Sequence, residues 1–271
     1  MDGVSKPPFF FAHGDLANGG LYCQRMAREL GPDQPLYAIA PHGTFGGDLP
    51  STFEEIAADY LELIRSVQPK GPYHLGGYCN GAMAMYEAAQ QLIRAGETVS
   101  VLVLLDPPDL YFFLLRQRIT RWGKLIGLSD RQGRNTYQRI SEGMDIWQNH
   151  GSLRLLSEFW TRSMSWTLKT LKPLWESQNT AATSSKPNLN FHYYEVIASY
   201  EPQVYLGSKS AWIILRRGNS RLYTRQISCW SRFVPDAHFN SISGNYVELK
   251  SSMGEIAEII KTSLTKPSLK K

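Results

Sequence analysis

The chain has 271 residues, 42% hydrophobic and 20% charged, enough for one large globular domain and against extended disorder. The formal net charge of +5 is mildly basic, but no zinc-finger spacing or RNA-binding sheet signature accompanies it, which argues against nucleic acid as partner. Three cysteines (Cys23, Cys79, Cys229) without paired spacing argue against a disulfide framework and fit a reducing compartment.

In chain order, Pro8 to Ala12 is a short apolar run that reads as a buried strand ending at His13-Gly14. A glycine-rich loop follows, then helical spacing from Leu21 to Leu30, stopped by Gly31-Pro32. Pro35 to Ala40 is a second strand. Ser51 or Thr52 caps the next helix, with Glu54 and Glu55 in its first turn and Phe53, Ile56, Ala57, Tyr60, Leu61 and Ile64 on one face. Tyr73 to Gly77 is a third strand and Val99 to Leu105 a fourth, with a helix after Cys79 between them. Near-continuous apolar strands alternating with helices predict a mostly parallel sheet covered on both faces, an α/β fold.

After Asp106-Pro107-Pro108 the pattern changes. Residues 110–198 read as mostly helical, an insertion over one end of the sheet rather than an independent domain, so that residues 1–271 form a single domain with a lid. Basic residues between Arg116 and Lys172 outnumber acids there, which favours an anionic partner or substrate handle. Ala211 to Leu215 returns to the sheet and Ile256 to Leu264 is the final helix. The N-terminus carries no secretory signal and the apolar runs are too short to span a bilayer, so a soluble cytoplasmic protein is expected.

Gly77-Tyr78-Cys79-Asn80-Gly81 lies between strand and helix, the context a nucleophile elbow needs. Glycines two before and two after let strand and helix approach, and a thiol at a helix N-terminus is easily ionised. In the order nucleophile, acid, histidine, Asp106 at the end of the fourth strand is the expected acid. Asp236 is the reserve. His238, read as lying on a loop after the last sheet region, is the expected base; His150 and His192 fall in or at the end of the lid and fit less well. The oxyanion hole is expected from the backbone N–H groups of Asn80 and Asp15.

These residues together resemble the type I thioesterase domains that end polyketide synthases and nonribosomal peptide synthetases. The resemblance is strongest from Phe9 to Pro108, above all in Gly71-Pro72-Tyr73-His74-Leu75-Gly76-Gly77-Tyr78 and Leu104-Leu105-Asp106. It implies an α/β-hydrolase fold, a Cys79-Asp106-His238 triad, no bound cofactor, and an acyl chain delivered on the phosphopantetheine of a carrier protein, with release by hydrolysis, cyclisation or transfer. Cysteine at position 79 departs from the usual serine, and Asp15 with Asn18 departs from the small or apolar residues frequent in that loop. A small-molecule ester or lactone hydrolase and a catalytically inactive binding module are the alternatives.

Overall fold

A computed structural model describes residues 6–16, 19–110, 189–207, 211–217, 220–243 and 252–265. The chain divides into two compact units, residues 1–111 with 189–271, and residues 112–188. The second unit, with the basic stretch and most of the expected lid, lies outside the described residues, as does Asn18.

The first unit is built on six strands: β1 (Phe9–Ala12), β2 (Leu36–Ile39), β3 (Tyr73–Tyr78), β4 (Val99–Leu105), β5 (Ala211–Arg216) and β6 (His238–Ile242). They run in the order β2-β1-β3-β4-β5-β6, and every pair is parallel. Central strands β1, β3 and β4 are almost wholly buried, which is why they read as continuous apolar runs.

The helices are α1 (Tyr22–Leu30), α2 (Phe53–Val67), α3 (Asn80–Arg94), α4 (Leu189–Ser199), α5 (Ser220–Phe233) and α6 (Met253–Thr265). Residues of α1 and α6 join Phe9, Phe11, Val101, Val103, Leu105 and Ile214 in one buried cluster. On α2 the apolar residues recur at helical spacing, and Thr52 caps the helix by accepting from the Glu55 N–H at 3.1 Å. Helix α3 packs on α2 and against β1, β3 and β4. It is buried along most of its length, Glu87 included. That carboxylate is satisfied by Arg94 and by the Tyr200 hydroxyl, which donates to it at 2.7 Å.

Five strands lie where the apolar runs place them, and β6 does not. His238-Phe-Asn-Ser-Ile242 is a half-exposed edge strand of mixed polarity, and its first residue is the histidine that the sequence reading assigns to a loop beyond the sheet.

Candidate active site

In a parallel sheet all strand ends with the same polarity share one edge, and side chains that follow the C-terminal ends converge there. Tyr78 is level with Leu105, and Leu105 with Ile214. Cys79 and Asp106 therefore follow neighbouring strands at one edge. Both have positive φ, 51° and 45°, a region that side chains rarely enter outside functional turns. The Cys79 N–H donates to the Leu105 carbonyl at 3.0 Å, and the Cys79 carbonyl accepts from Ala82 N–H at 3.0 Å, so the residue is held on both sides as strand becomes helix.

The turn is possible only because glycines surround it. A methyl group on Gly14 would lie 2.2 Å from the Tyr78 carbonyl oxygen and 3.1 Å from Cys79 Cβ. One on Gly81 would lie 2.1 Å from the Ala12 carbonyl oxygen. The loop after β1 and the first turn of α3 are thus in backbone contact. Asn80 begins α3, so its N–H belongs to the orphan donors of a helix N-terminus. Asp15 is the next residue along the loop from Gly14.

Cys79 is partly exposed, whereas Cys23 and Cys229 are buried. Burial, reinforced by the nearby charge of Asp15, pushes the Cys23 thiol up to about 12. Burial likewise raises Cys229, with Asp109 adding and Arg232 and Arg225 opposing. At pH 8 the Cys23 thiol is then almost wholly protonated. Iodoacetamide on the native protein at pH 8 is therefore expected to give a single adduct on Cys79, absent from Cys79→Ala. Peptide mapping that finds Cys23 alkylated as fast as Cys79 contradicts this assignment.

His13, expected to be structural, is buried, and its Nδ1 has no hydrogen-bond partner among the described residues. Burial lowers its pKa, opposed by Asp15 through charge and through a backbone hydrogen bond. Tyr22 nearby has its phenol raised by burial first, then by Cys23, Tyr78, Asp15 and Cys79. Asp15 therefore presents its charge to the same side of the elbow as His13, Tyr22 and Cys23.

Asp106 is where the sequence reading puts it, but its partner is different. Arg216, the last residue of β5, sets its Nε 3.0 Å from the Asp106 carboxylate. The Arg216 Nη2 donates to the Tyr78 hydroxyl at 3.0 Å, and the guanidinium lies 5.8 Å from the centre of the Tyr78 ring. Burial raises the Asp106 carboxyl above its ordinary range and Arg216 partly lowers it again. The segment beyond is held by α5, where Trp230 donates to the Pro108 carbonyl at 3.3 Å and Arg225 pairs with Asp109.

His238 is not at this edge. It pairs with Trp212, which is level with Val103 and so with Gly76. That position is three residues short of Cys79 along the sheet and three strands across, about 17 Å away. The imidazole is exposed and lies against the Trp212 ring, centroids 4.6 Å apart. The structure therefore does not bring His238 to Cys79 and Asp106 as expected: the residues read as a loop after the last sheet region begin strand β6 at His238. The segment that does leave β6 at the Cys79 edge, Ser243 onward, contains no histidine to the end of the chain. Asp236, the reserve acid, precedes β6 and lies at the far edge as well. His192 is on α4, and His150 is outside the described residues. Among the described residues no group of three or more His, Cys, Asp or Glu is placed to hold a metal.

The missed residue is Arg216. It closes the apolar run Ala211 to Leu215, and its meeting with Asp106 depends on the pairing of β4 with β5 and on the ion pair between the two side chains.

The family model Thioesterase domain matches residues 8–120. A dimodular nonribosomal peptide synthase of Bacillus subtilis (strain 168) is 40% identical over 114 residues, 41% of this chain and 5% of that protein. Polyketide synthase PksR of the same organism is 37% identical over 108 residues, 40% of this chain and 4% of that one. The chain thus spans about a twentieth of these relatives. Among solved structures, the NocB thioesterase domain from the nocardicin cluster superposes with a TM-score of 0.60 at 18% identity, covering 96% of this chain and 94% of that one. ClbQ from the colibactin pathway gives 0.56 at 11% identity, covering 96% and 97%. These likenesses show the fold, a mostly parallel α/β sheet of the α/β-hydrolase type.

Proposed function

We propose, from the match of residues 8–120 to the thioesterase-domain family model, that the protein takes an acyl or peptidyl chain from the phosphopantetheine thioester of a carrier protein onto Cys79. The chain is then released in the biosynthesis of a natural product, in the cytoplasm. The observation that carries this reading is the elbow itself: a partly exposed thiol with positive φ at the junction of β3 and α3, ringed by glycines. A strained residue so tightly surrounded is kept where function needs it. The N–H groups of Asn80 and Asp15 receive the oxyanion. Phosphopantetheine arrives with the carrier, so the enzyme itself binds no cofactor.

A thiol suits this step. Thiolate attack on a thioester exchanges one thioester for another, so loading is nearly thermoneutral and the acyl group stays activated. The test is incubation with a carrier protein bearing a mixed set of acyl thioesters, read by intact mass. A covalent acyl adduct in the wild type, absent from Cys79→Ala, is expected. Turnover of free esters without an adduct replaces this reading with a small-molecule ester hydrolase. Neither adduct nor turnover replaces it with a binding module.

A further inference from the structure

We propose that the edge of β2, with the side of α2 next to it, is a docking site for an extended basic segment of another polypeptide, which adds to the sheet as a further strand. The site is separate from the acyl transfer at Cys79.

Strand β2 ends the sheet, and among the described residues β1 is the only strand paired with it. The Phe9 N–H donates to the Pro35 carbonyl at 2.9 Å, and the His13 N–H to the Ile39 carbonyl at 3.0 Å. Residues 35, 37 and 39 thus face β1, and the N–H and C=O groups of Leu36 and Ala38 point away from it. Strand addition uses such groups. Edge strands are commonly blunted by lysine, proline or a bulge. The register of β2 with β1 is unbroken, and its residues are Leu36, Tyr37, Ala38 and Ile39, with Tyr37 and Ala38 exposed.

The two faces of this edge differ. Leu36 packs against the cluster that α1 and α6 share. Tyr37 alternates to the other face, where its ring stacks on Phe10 with centroids 5.4 Å apart. Helix α2 reaches the end of the strand, since the Tyr60 hydroxyl donates to the Ala40 carbonyl at 3.3 Å and Asp59 meets His42 at 3.0 Å. Asp59, Leu63 and Val67 recur every four residues along that side of α2. Leu63 is 56% exposed and Tyr37 43%, so apolar surface is open on both elements.

Charge selects the occupant. Residues 29–64 contain seven acids and neither lysine nor arginine, in a chain of net charge +5. Glu54, Glu55, Asp59 and Glu62 are exposed on α2. The next cation, Arg65, is paired with Glu97 at 2.9 Å. Two copies meeting edge to edge would set this charge against itself, which disfavours a second copy. An incoming strand with lysine or arginine on the α2 side lays their stems along Tyr37 and Leu63 and their charges at the carboxylates. Its alternate residues fall beside Leu36 and Ala38 and are apolar.

The probe is a fluorescein-labelled heptapeptide of alternating lysine and valine, bound to the full chain and read by fluorescence polarisation. It is expected to bind at least about tenfold tighter than the same peptide with proline for every valine, which keeps the charge and cannot pair. The glutamate–valine counterpart is expected not to bind. Ala38→Pro removes an outward N–H and no bond to β1, and is expected to weaken binding at least about tenfold. Glu62→Lys is expected to weaken it and to flatten its salt dependence. In wild-type protein, exchange of the Leu36 and Ala38 amides is expected to slow at least about tenfold on saturation, with Tyr37 and Ile39 unchanged. Equal affinity for the valine and proline peptides, no binding, or unchanged exchange at Leu36 and Ala38 overturns the proposal from wild-type protein alone, even if a variant fails to fold. Sedimentation that finds a dimer abolished by Ala38→Pro overturns it too, and gives the edge to a second copy.

Discussion

Cys79→Ser is expected to slow acyl-adduct formation by at least about 100-fold, the rate that a positioned base is worth. At an elbow served by an Asp-oriented histidine, this exchange is mild, since the base removes the hydroxyl proton during attack. A serine hydroxyl does not ionise near neutrality, and with Asp106 committed to Arg216 the orienting half of that machinery is engaged elsewhere. The thiol is thus the property that makes loading possible, and size is secondary. Timed intact-mass measurement with octanoyl-N-acetylcysteamine checks this. Loading of the serine variant within about tenfold of wild type means that a base does reach the elbow.

Gly81→Ala has the largest expected effect on stability, about 3 kcal/mol or more, the upper range for overpacking a core. Its methyl group would lie 2.1 Å from the Ala12 carbonyl oxygen and 2.7 Å from the carbonyl carbon, both backbone atoms that no rotamer change can move. Either α3 withdraws from β1 or the elbow opens, and each exposes part of a helix that is buried along most of its length. Gly254→Ala is the matched control, since that glycine lies in the first turn of α6 and a methyl there meets nothing within 4 Å. It should be neutral or stabilising by up to about 1 kcal/mol. Thermal melts compare the two directly. A Gly81→Ala melt within a degree of wild type shows that the helix and β1 are less tightly joined than the geometry requires.

Much of this was legible in the sequence because burial leaves a compositional trace. The runs Phe9 to Ala12 and Val99 to Leu105 announce central strands, since both faces are covered. Gly77-x-Cys79-x-Gly81 announces the elbow, since close backbone approach demands glycine on both sides. Two features left no such trace. Strand β6 lies at the edge of the sheet, its residues half exposed and mixed in polarity, so His238 reads as loop rather than as the first residue of a strand. The Asp106–Arg216 pair joins residues far apart in the chain, and an arginine at the end of an apolar run looks like any strand terminus. Pairings across a sheet are set by register, and register is not written in local pattern.

The strand order has a further consequence. Strands β1 to β4 all come from the first 105 residues and fill one side of the sheet, while β5 and β6 come from beyond residue 210 and fill the other. The two sides meet along the single seam between β4 and β5. The part of the chain that displays the thiol and the arginine that pairs with its neighbouring acid are thus separately encoded. The match to known thioesterase domains lies on one side of that seam and Arg216 on the other, so two chains alike through their first hundred residues need not share the pairing of Asp106.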